Sequence, residues 1–312
     1  MDTTKDVREF LRSRRSHITP AQAGLPAYGG TRRVPGLKRE EVAMLAGVST
    51  EYYARLERGN LRGVSESVLD SLSRALQLDE AERAHLFDLA KAAAPAPSSG
   101  VRRARTELRP SIERLLAGMT GTPAYVRNSR MDVVAANNLC YALYTDILSP
   151  ATLPLNLARF MFLDPRSRDF FVDWETLADD FAAAMRAESG RSPRDRALNH
   201  LIGDLAAGST EFSTRWARHN VRFHRTARKT MHNPLVGDIE LTGDALELPG
   251  EGLTLIAYTA EAGSHAQDQL DFLASWSTTN SSTSEPSPAG APPTAAPVNP
   301  RRLNRQRDDQ KR

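Results

Sequence analysis

The stretch KREEVAMLAGVSTEYYARLERG at 38–59 decides how the N-terminal part of the chain folds. Two short runs with helical apolar spacing meet at Gly47, a residue that reaches the positive φ of a tight turn at little cost. Ala43, four residues earlier, lets the two helices cross closely, and Val42, Leu45, Val48, Tyr53 and Leu56 are spaced to seal the space beneath. Ser49, Thr50, Glu51, Tyr52 and Arg55 then fall at the start and on the outer face of the second helix. In a helix-turn-helix that face enters the major groove of DNA.

Side-chain chemistry divides these candidates. Arg55 can pair bidentately with guanine, Thr50 offers a hydroxyl or a methyl, and Glu51 can accept from cytosine, so these three are the expected base contacts. Ser49 at the helix start, Tyr52, and Arg39 at the head of the first helix suit phosphates. Arg32, Arg33, Lys38 and Arg39 put four cations into eight residues just ahead of the turn, as backbone anchors would. The competing reading is an ordinary helix corner with Arg55 and Arg58 solvated. Charge distribution weighs against it. The net charge of +3 over 312 residues conceals 18 basic and 13 acidic side chains in 1–106, 17 and 22 in 107–276, and 6 and 3 in 277–312. A basic first part beside an acidic second part points to an anionic partner at the N-terminal end.

Outward from the motif, Val7, Phe10 and Leu11 begin an earlier helix, and Ser65 is placed to cap a helix carrying Val68, Leu69, Leu72, Ala75 and Leu76. Asp79 with Glu82 forms a capping-box pattern that opens a fifth helix ending near Ala92. The expectation is an all-α five-helix DNA-binding domain over 1–92, with the long segment 19–36 as an arm toward flanking DNA. AAAPAPSSG at 92–100 starts a linker over 93–106.

Residues 107–276 read as an α+β domain. Runs at 124–127 and 130–134 flank Asn128-Ser129, which suits a two-residue hairpin turn. Helical spacing fills 135–219, with Trp174, Leu177, Ala178, Phe181 and Met185 on one face and Leu198, Leu201, Ile202 and Leu205 on another. Period-two alternation returns in VRFHRTARKTM, VGDIEL and LTLIAY, which read as about three more strands. Helices inserted between such strands can enclose an apolar pocket against one sheet face. From Ser277 to Pro300 only Glu285 and Val298 are not Ser, Thr, Pro, Ala, Gly or Asn, so 277–312 is expected to be a disordered tail with a basic end.

Other chemistries find little support. Lone Cys140 allows no intrachain disulfide and reads as a small core residue. The charged first twenty residues lack the apolar core of a secretory signal, and no apolar run approaches membrane-spanning length. The expected setting is therefore the cytoplasm, associated with the nucleoid. His219, His224 and His232 lie near Asp238 and Glu240 without the paired spacing of zinc motifs, so neither a metal nor another cofactor is expected. No nucleophile–base pattern appears, and the chain is read as a non-enzyme.

At these same residues the chain resembles the lambda-repressor-like (XRE) helix-turn-helix regulators, and more closely their MmyB-like branch. The likeness is carried by RRVPGLKREEVAMLAGVSTEYYARLERG (32–59), PAYVRNSRMDVVAANN (123–138), FLDPRSRDFFVDWE (162–175), EFSTRWARHNVRFH (211–224), KTMHNPLVGDIEL (229–241) and YTAEAGS (258–264). It implies a C-terminal PAS-like ligand-binding domain sensing a small hydrophobic, fatty-acyl-like molecule. The family's base-facing positions match Thr50, Glu51 and Arg55, and its phosphate-facing ones match Arg39, Ser49 and Tyr52. Motif residues of the second domain are Trp174, Trp216, His219, Val221, Lys229, His232 and Pro234, of which Trp174, Trp216, His219 and His232 are the candidate pocket residues. The expected partners are double-stranded DNA with a palindromic operator and a second copy of the chain, since such proteins usually read palindromes as dimers. A different expectation keeps DNA binding but makes 107–276 a dimerisation or protein-docking module without ligand.

Overall fold

The computed structural model describes residues 3–26, 34–94, 108–222, 226–249 and 251–283, the last four of these by backbone alone. Arg32, Arg33, His224, the linker from 95 and the tail from 284 lie outside the described residues. The N-terminal part forms α1 (Thr3–His17), α2 (Arg39–Ala46), α3 (Thr50–Glu57), α4 (Glu66–Ala75) and α5 (Glu80–Ala93). Three of these starts are capped locally, as expected at Ser65 and Asp79 and also at Ser49, which the sequence reading gave to a phosphate. Ser49 accepts from the Tyr52 amide at 3.1 Å, Ser65 accepts from that of Val68 at 3.4 Å, and Asp79 and Glu82 cap each other reciprocally at 2.8 and 3.2 Å. Gly47 closes α2 at φ 68°, and the amide of Val48 returns to the Ala43 carbonyl at 2.9 Å.

Leu45 differs from the expectation. It is 37% exposed and Val48 is only half-buried, while Val42, Ala43 and Ala46 face inward. On a helix of 3.6 residues per turn the last three share one face, and position 45 falls on its outer edge. Beneath the crossing lies a buried carboxylate instead. Glu57, 2% exposed, accepts from Arg15 at 2.7 Å and from Arg39, tying α3 to α1 and α2. Arg15 also donates to the Leu37 carbonyl at 2.7 Å, fixing the segment that leads into α2.

The second part runs α6 (Pro110–Gly118), β1 (Ala124–Asn128), β2 (Asp132–Ala136), α7 (Asn138–Leu143), β3 (Leu155–Asn156), α8 (Leu157–Leu163), α9 (Arg166–Phe170), α10 (Trp174–Arg191), α11 (Arg196–Gly208), α12 (Thr210–Ala217), β4 (Thr226–Asn233), β5 (Gly237–Leu248), β6 (Leu253–Thr259) and α13 (His265–Thr283). The strands make one antiparallel sheet in the order β3-β2-β1-β6-β5-β4. One face carries Tyr125, Met231, Ile239, Leu241, Ile256 and Tyr258 into the main core with α7–α12 and Leu270 and Leu273 of α13. The other face packs Ala124, Val126, Leu253 and Leu255 under Ile112 and Leu116 of α6.

Two local expectations change. The first hairpin turn spans 129–131 rather than Asn128-Ser129, because the Asn128 side chain accepts from the amides of Arg130 (2.9 Å) and Asp132 (3.0 Å), with Met131 at φ 65°. The helix α13 continues through 277–283, into the segment expected to be without order. Hydroxyls there bond back to preceding carbonyls, Ser277 and Thr278 to Ala274 and Thr279 to Ser275, at 2.8–3.0 Å. No helix among the described residues is long and apolar enough to cross a membrane.

The two parts pack through α10. Ala187 joins the apolar core of the N-terminal helices, as does Val221, and a Cβ on Gly190 would overlap the His85 ring of α5. Buried Arg186 lies 3.6 Å from the Trp216 ring centre, donates to the Trp216 carbonyl and faces Asp6 of α1 at 3.8 Å. Around them His219 faces Glu9 at 3.2 Å, and Arg14 reaches Asn220 at 3.1 Å. Desolvation, followed by the charges of Arg186, His219 and Arg14, pushes the His85 imidazole down to about 3, so it is neutral where it packs.

Two outcomes follow from this contact. Gly190→Leu should overpack it at a cost of about 1–3 kcal/mol, read in calorimetry as separation of one cooperative transition into two. Because the folded His85 refuses a proton that the unfolded chain accepts below about pH 6.5, stability should fall as pH drops from there toward 3. Denaturant titrations at stepped pH on wild type and His85→Phe check this, and an equal acid slope in both would contradict it.

Candidate DNA-reading face and ligand-binding core

The start of α3 is presented to solvent. Ser49, Thr50, Glu51 and Arg55 are exposed together, and the Arg55 guanidinium lies 4.7 Å from the centre of the half-buried Tyr52 ring. That stacking holds the cation over the outer face of the helix while leaving its N–H edges for an acceptor. Lys38 sits at the head of α2, half-exposed and 3.6 Å from Glu40. Arg39 is held differently from the expectation of a solvated anchor: its Nε is taken by Glu57, and this pairing raises its pKa further. Its side chain is nonetheless 55% exposed, so one end braces the helix crossing while the other remains at the surface beside Ser49's helix.

Glu57 escaped notice in the sequence because its partners stand 42 and 18 residues away, and nothing in local spacing marks it as buried. Its removal should leave Arg15 and Arg39 without a counter-charge. Glu57→Ala is expected to cost about 3 kcal/mol, the low end for a broken buried pair because Arg39 reaches water. Urea unfolding of the variant measures this, and a loss below about 0.5 kcal/mol, the level of a surface pair, would contradict it.

In the second part, the four residues expected to line one pocket do not converge. Trp174 is buried, donating from its indole to the Met161 carbonyl (3.2 Å) and Ser167 hydroxyl (3.0 Å). Phe162 packs on it and on Phe212, which stacks on half-buried Trp216 at 5.4 Å, so the two tryptophans end one aromatic row. His219 turns toward Glu9 of the N-terminal domain at φ 53°, its pKa lowered to about 4 by desolvation and then by Arg186, Arg14 and Lys5. His232 is exposed, 2.7 Å from Asp238. The sequence placed these residues in one motif set; the fold assigns them to the core, the domain contact and the surface. An open cleft of about 650 Å3 lies elsewhere, between α6, β2, α7 and the end of α13, lined among others by Leu116, Met119, Ala136, Leu139 and Thr278.

Lys229 carries the least ordinary chemistry of this domain. Alternation along β4 turns Lys229, Met231 and Asn233 inward together, and the lysine is 3% exposed. Its Nζ lies 3.4 Å from the Tyr258 hydroxyl, which in turn lies 2.7 Å from that of Tyr144. Desolvation, and then the like charge of Arg127, push its pKa down to about 8, while Asp180 acts in the opposite sense.

A helical domain with an exposed reading helix, joined through one long helix to a sheet domain with a filled apolar face, has the architecture of a two-domain DNA-binding regulator. Comparison with known families agrees. Residues 7–86 match a helix-turn-helix domain, and residues 108–273 match the MmyB-like transcription regulator ligand binding domain. The second match spans more than half of the chain, and the chain belongs to that family. No curated protein matches it. The protein is thus a transcription regulator with a DNA-binding and a ligand-binding domain.

Proposed function

We propose that the protein is a sequence-specific regulator that reads a palindromic operator as a homodimer and whose C-terminal, PAS-like domain senses a small hydrophobic, fatty-acyl-like ligand. In this reading it works in the cytoplasm, by binding rather than by catalysis. The observation that carries it is the joint placement of Thr50, Glu51 and Arg55 on the exposed start of α3, with the crossing beneath them locked by Glu57. A fixed reading face of that composition suits base edges in the major groove. Ser49, Tyr52, Lys38 and the outer end of Arg39 flank it where phosphates pass, and Arg32 and Arg33 extend the cationic run.

The ligand reading is supported by how α10 is shared. Phe181 and Met185 belong to the core of the ligand-binding domain, while Ala187 and Gly190 of the same helix pack against the DNA-binding domain. A ligand that repacks the first set alters the second, which is the differential contact a population shift requires.

For the DNA side, Arg55→Ala should cost about 1–3 kcal/mol at one base position and relax preference there, whereas Lys38→Ala should weaken all sequences alike and lower the salt slope by about one. Binding titrations on the protein's own upstream DNA and on random DNA test this. Equal affinity for the two at moderate salt would defeat the specific-regulator reading. For the ligand side, solvent extraction and mass spectrometry of purified protein should recover an acyl species, and a core found empty after expression in an acyl-rich host would favour the docking module.

A further inference from the structure

We propose that the outer face of α13, carried by Phe272 and Trp276, is the surface through which two copies of the chain associate, α13 against α13. The inference rests on the homodimer reading given above and adds where in the second domain the two copies meet.

α13 has two faces. Ala266, Leu270, Leu273 and Ala274 turn toward the main core of the sheet domain. At 3.6 residues per turn, Phe272, Ser275, Trp276 and Thr279 fall together on the opposite side. All four are exposed, Phe272 by 53% and Trp276 by 36%, and neither aromatic joins an apolar core formed by the described residues. Scattered aliphatic side chains at a surface, such as Leu115, Leu163 and Val172, need no explanation. Phe272 and Trp276 differ: they are the exposed Phe and Trp among the described residues, and they stand one turn apart on one helix. The helix itself asks for a cover. Between Leu273 and Thr279 no side chain is buried, yet α13 runs on to Thr283. From Ser275 to that end the sequence contains only Ser, Trp, Thr and Asn, which are poor helix formers, and so short a segment is not helical in water without packing.

Charge selects the occupant. α13 carries His265, Asp268 and Asp271 near its start and no ionisable side chain from 272 to 283. Residues 107–276 hold 17 basic and 22 acidic side chains, so two copies of this domain repel over most of their surfaces. The uncharged face is where they meet without that cost. In an antiparallel two-fold pairing the acidic start of each helix lies opposite the uncharged end of the other, and the two starts stay far apart. DNA phosphates or anionic lipid headgroups find no cation here. Burial strands no hydroxyl either, because Ser275 already donates to the Asp271 carbonyl and Thr279 to that of Ser275, each at 3.0 Å. The two aromatics together expose about 200 Å2 of the about 800 Å2 per partner that a standard interface buries. The contact is therefore weak by itself and is completed when two DNA-binding domains occupy neighbouring half-sites.

The test uses the full-length protein, by sedimentation equilibrium up to about 200 µM and by titration onto the palindrome from its own upstream DNA and onto one half of it. Wild type should dimerise reversibly. Phe272→Glu and Trp276→Glu should each weaken the dimer and palindrome binding about tenfold or more, while half-site affinity stays within about twofold. Leu163→Glu, at an exposed leucine of α8 away from this face, should change neither. A second reading needs no variant. Trp174 is buried and Trp216 half-buried, so Trp276 is the tryptophan whose emission should move to shorter wavelength as wild type is concentrated, and on the palindrome but not on the half-site. A dimer of wild-type strength in both glutamate variants, or an unshifted emission while the dimer forms, would overturn the α13 assignment and leave the homodimer reading intact. Wild type that stays monomeric and binds the palindrome as a single copy would remove the homodimer reading and this surface with it, leaving the aromatic pair to a different protein.

Discussion

The last two turns of α10 belong to two cores at once. Met185 is sealed among the apolar side chains of the sheet domain, yet Arg186, Ala187 and Gly190 seat on α1 and α5 of the DNA-binding domain. A glycine at 190 is what lets the His85 ring lie against the helix backbone, and a neutral imidazole is what lets that ring be buried beside Arg186 and His219. Packed interiors respond to displacement by switching between arrangements rather than by stretching. In the proposed reading a helix common to both cores carries a rearrangement of one to the other, and the remaining architecture holds its two ends.

At the DNA end the constraint is electrostatic. Glu57 gathers Arg15 and Arg39 beneath the α2–α3 crossing, so the reading helix cannot tilt without separating buried charges. At the ligand end the constraint is apolar: the aromatic row from Trp174 through Phe162 and Phe212 to Trp216 ends under Arg186, the cation that faces Asp6 of α1. The tryptophans thus sit between the sheet core and the domain contact, with Arg186 lying over the ring of Trp216 alone.

How much of this the amino-acid order discloses depends on how local each interaction is. The Gly47 turn, the Ser65 cap and the Asp79–Glu82 box involve residues within four positions of each other, and all can be read directly. So could the inward faces of α10 and α11, because helical periodicity reports burial without naming the partner. The Asn128 turn was misplaced by a side-chain hydrogen bond that competes with the simpler hairpin, and the end of α13 by hydroxyls that bond back to the helix. The helix α6 is only nine residues long and buries two of them, Ile112 and Leu116, which is too little for its periodicity to stand out. Pairings across long separations, such as Glu57 with Arg15, Arg186 with Asp6 and His219 with Glu9, leave no periodic trace. For that reason the motif set containing Trp174, Trp216, His219 and His232 looked like one pocket, although its members serve different places. Lys229 enters the sequence reading only as a family motif residue, although a cation at an inward position of an alternating strand is a local signal as well.

In the proposed function, occupancy of the ligand-binding domain and affinity for DNA are coupled through α10. Coupling between two sites is a free energy and is reciprocal, with typical effects of about 5- to 150-fold. The most direct measurement is operator affinity of the same full-length preparation, first stripped of ligand and then saturated with dodecanoate, at fixed salt. A shift in affinity within that range, in either direction, is the predicted result. Identical affinities in the two states, with dodecanoate shown to be bound, would contradict it.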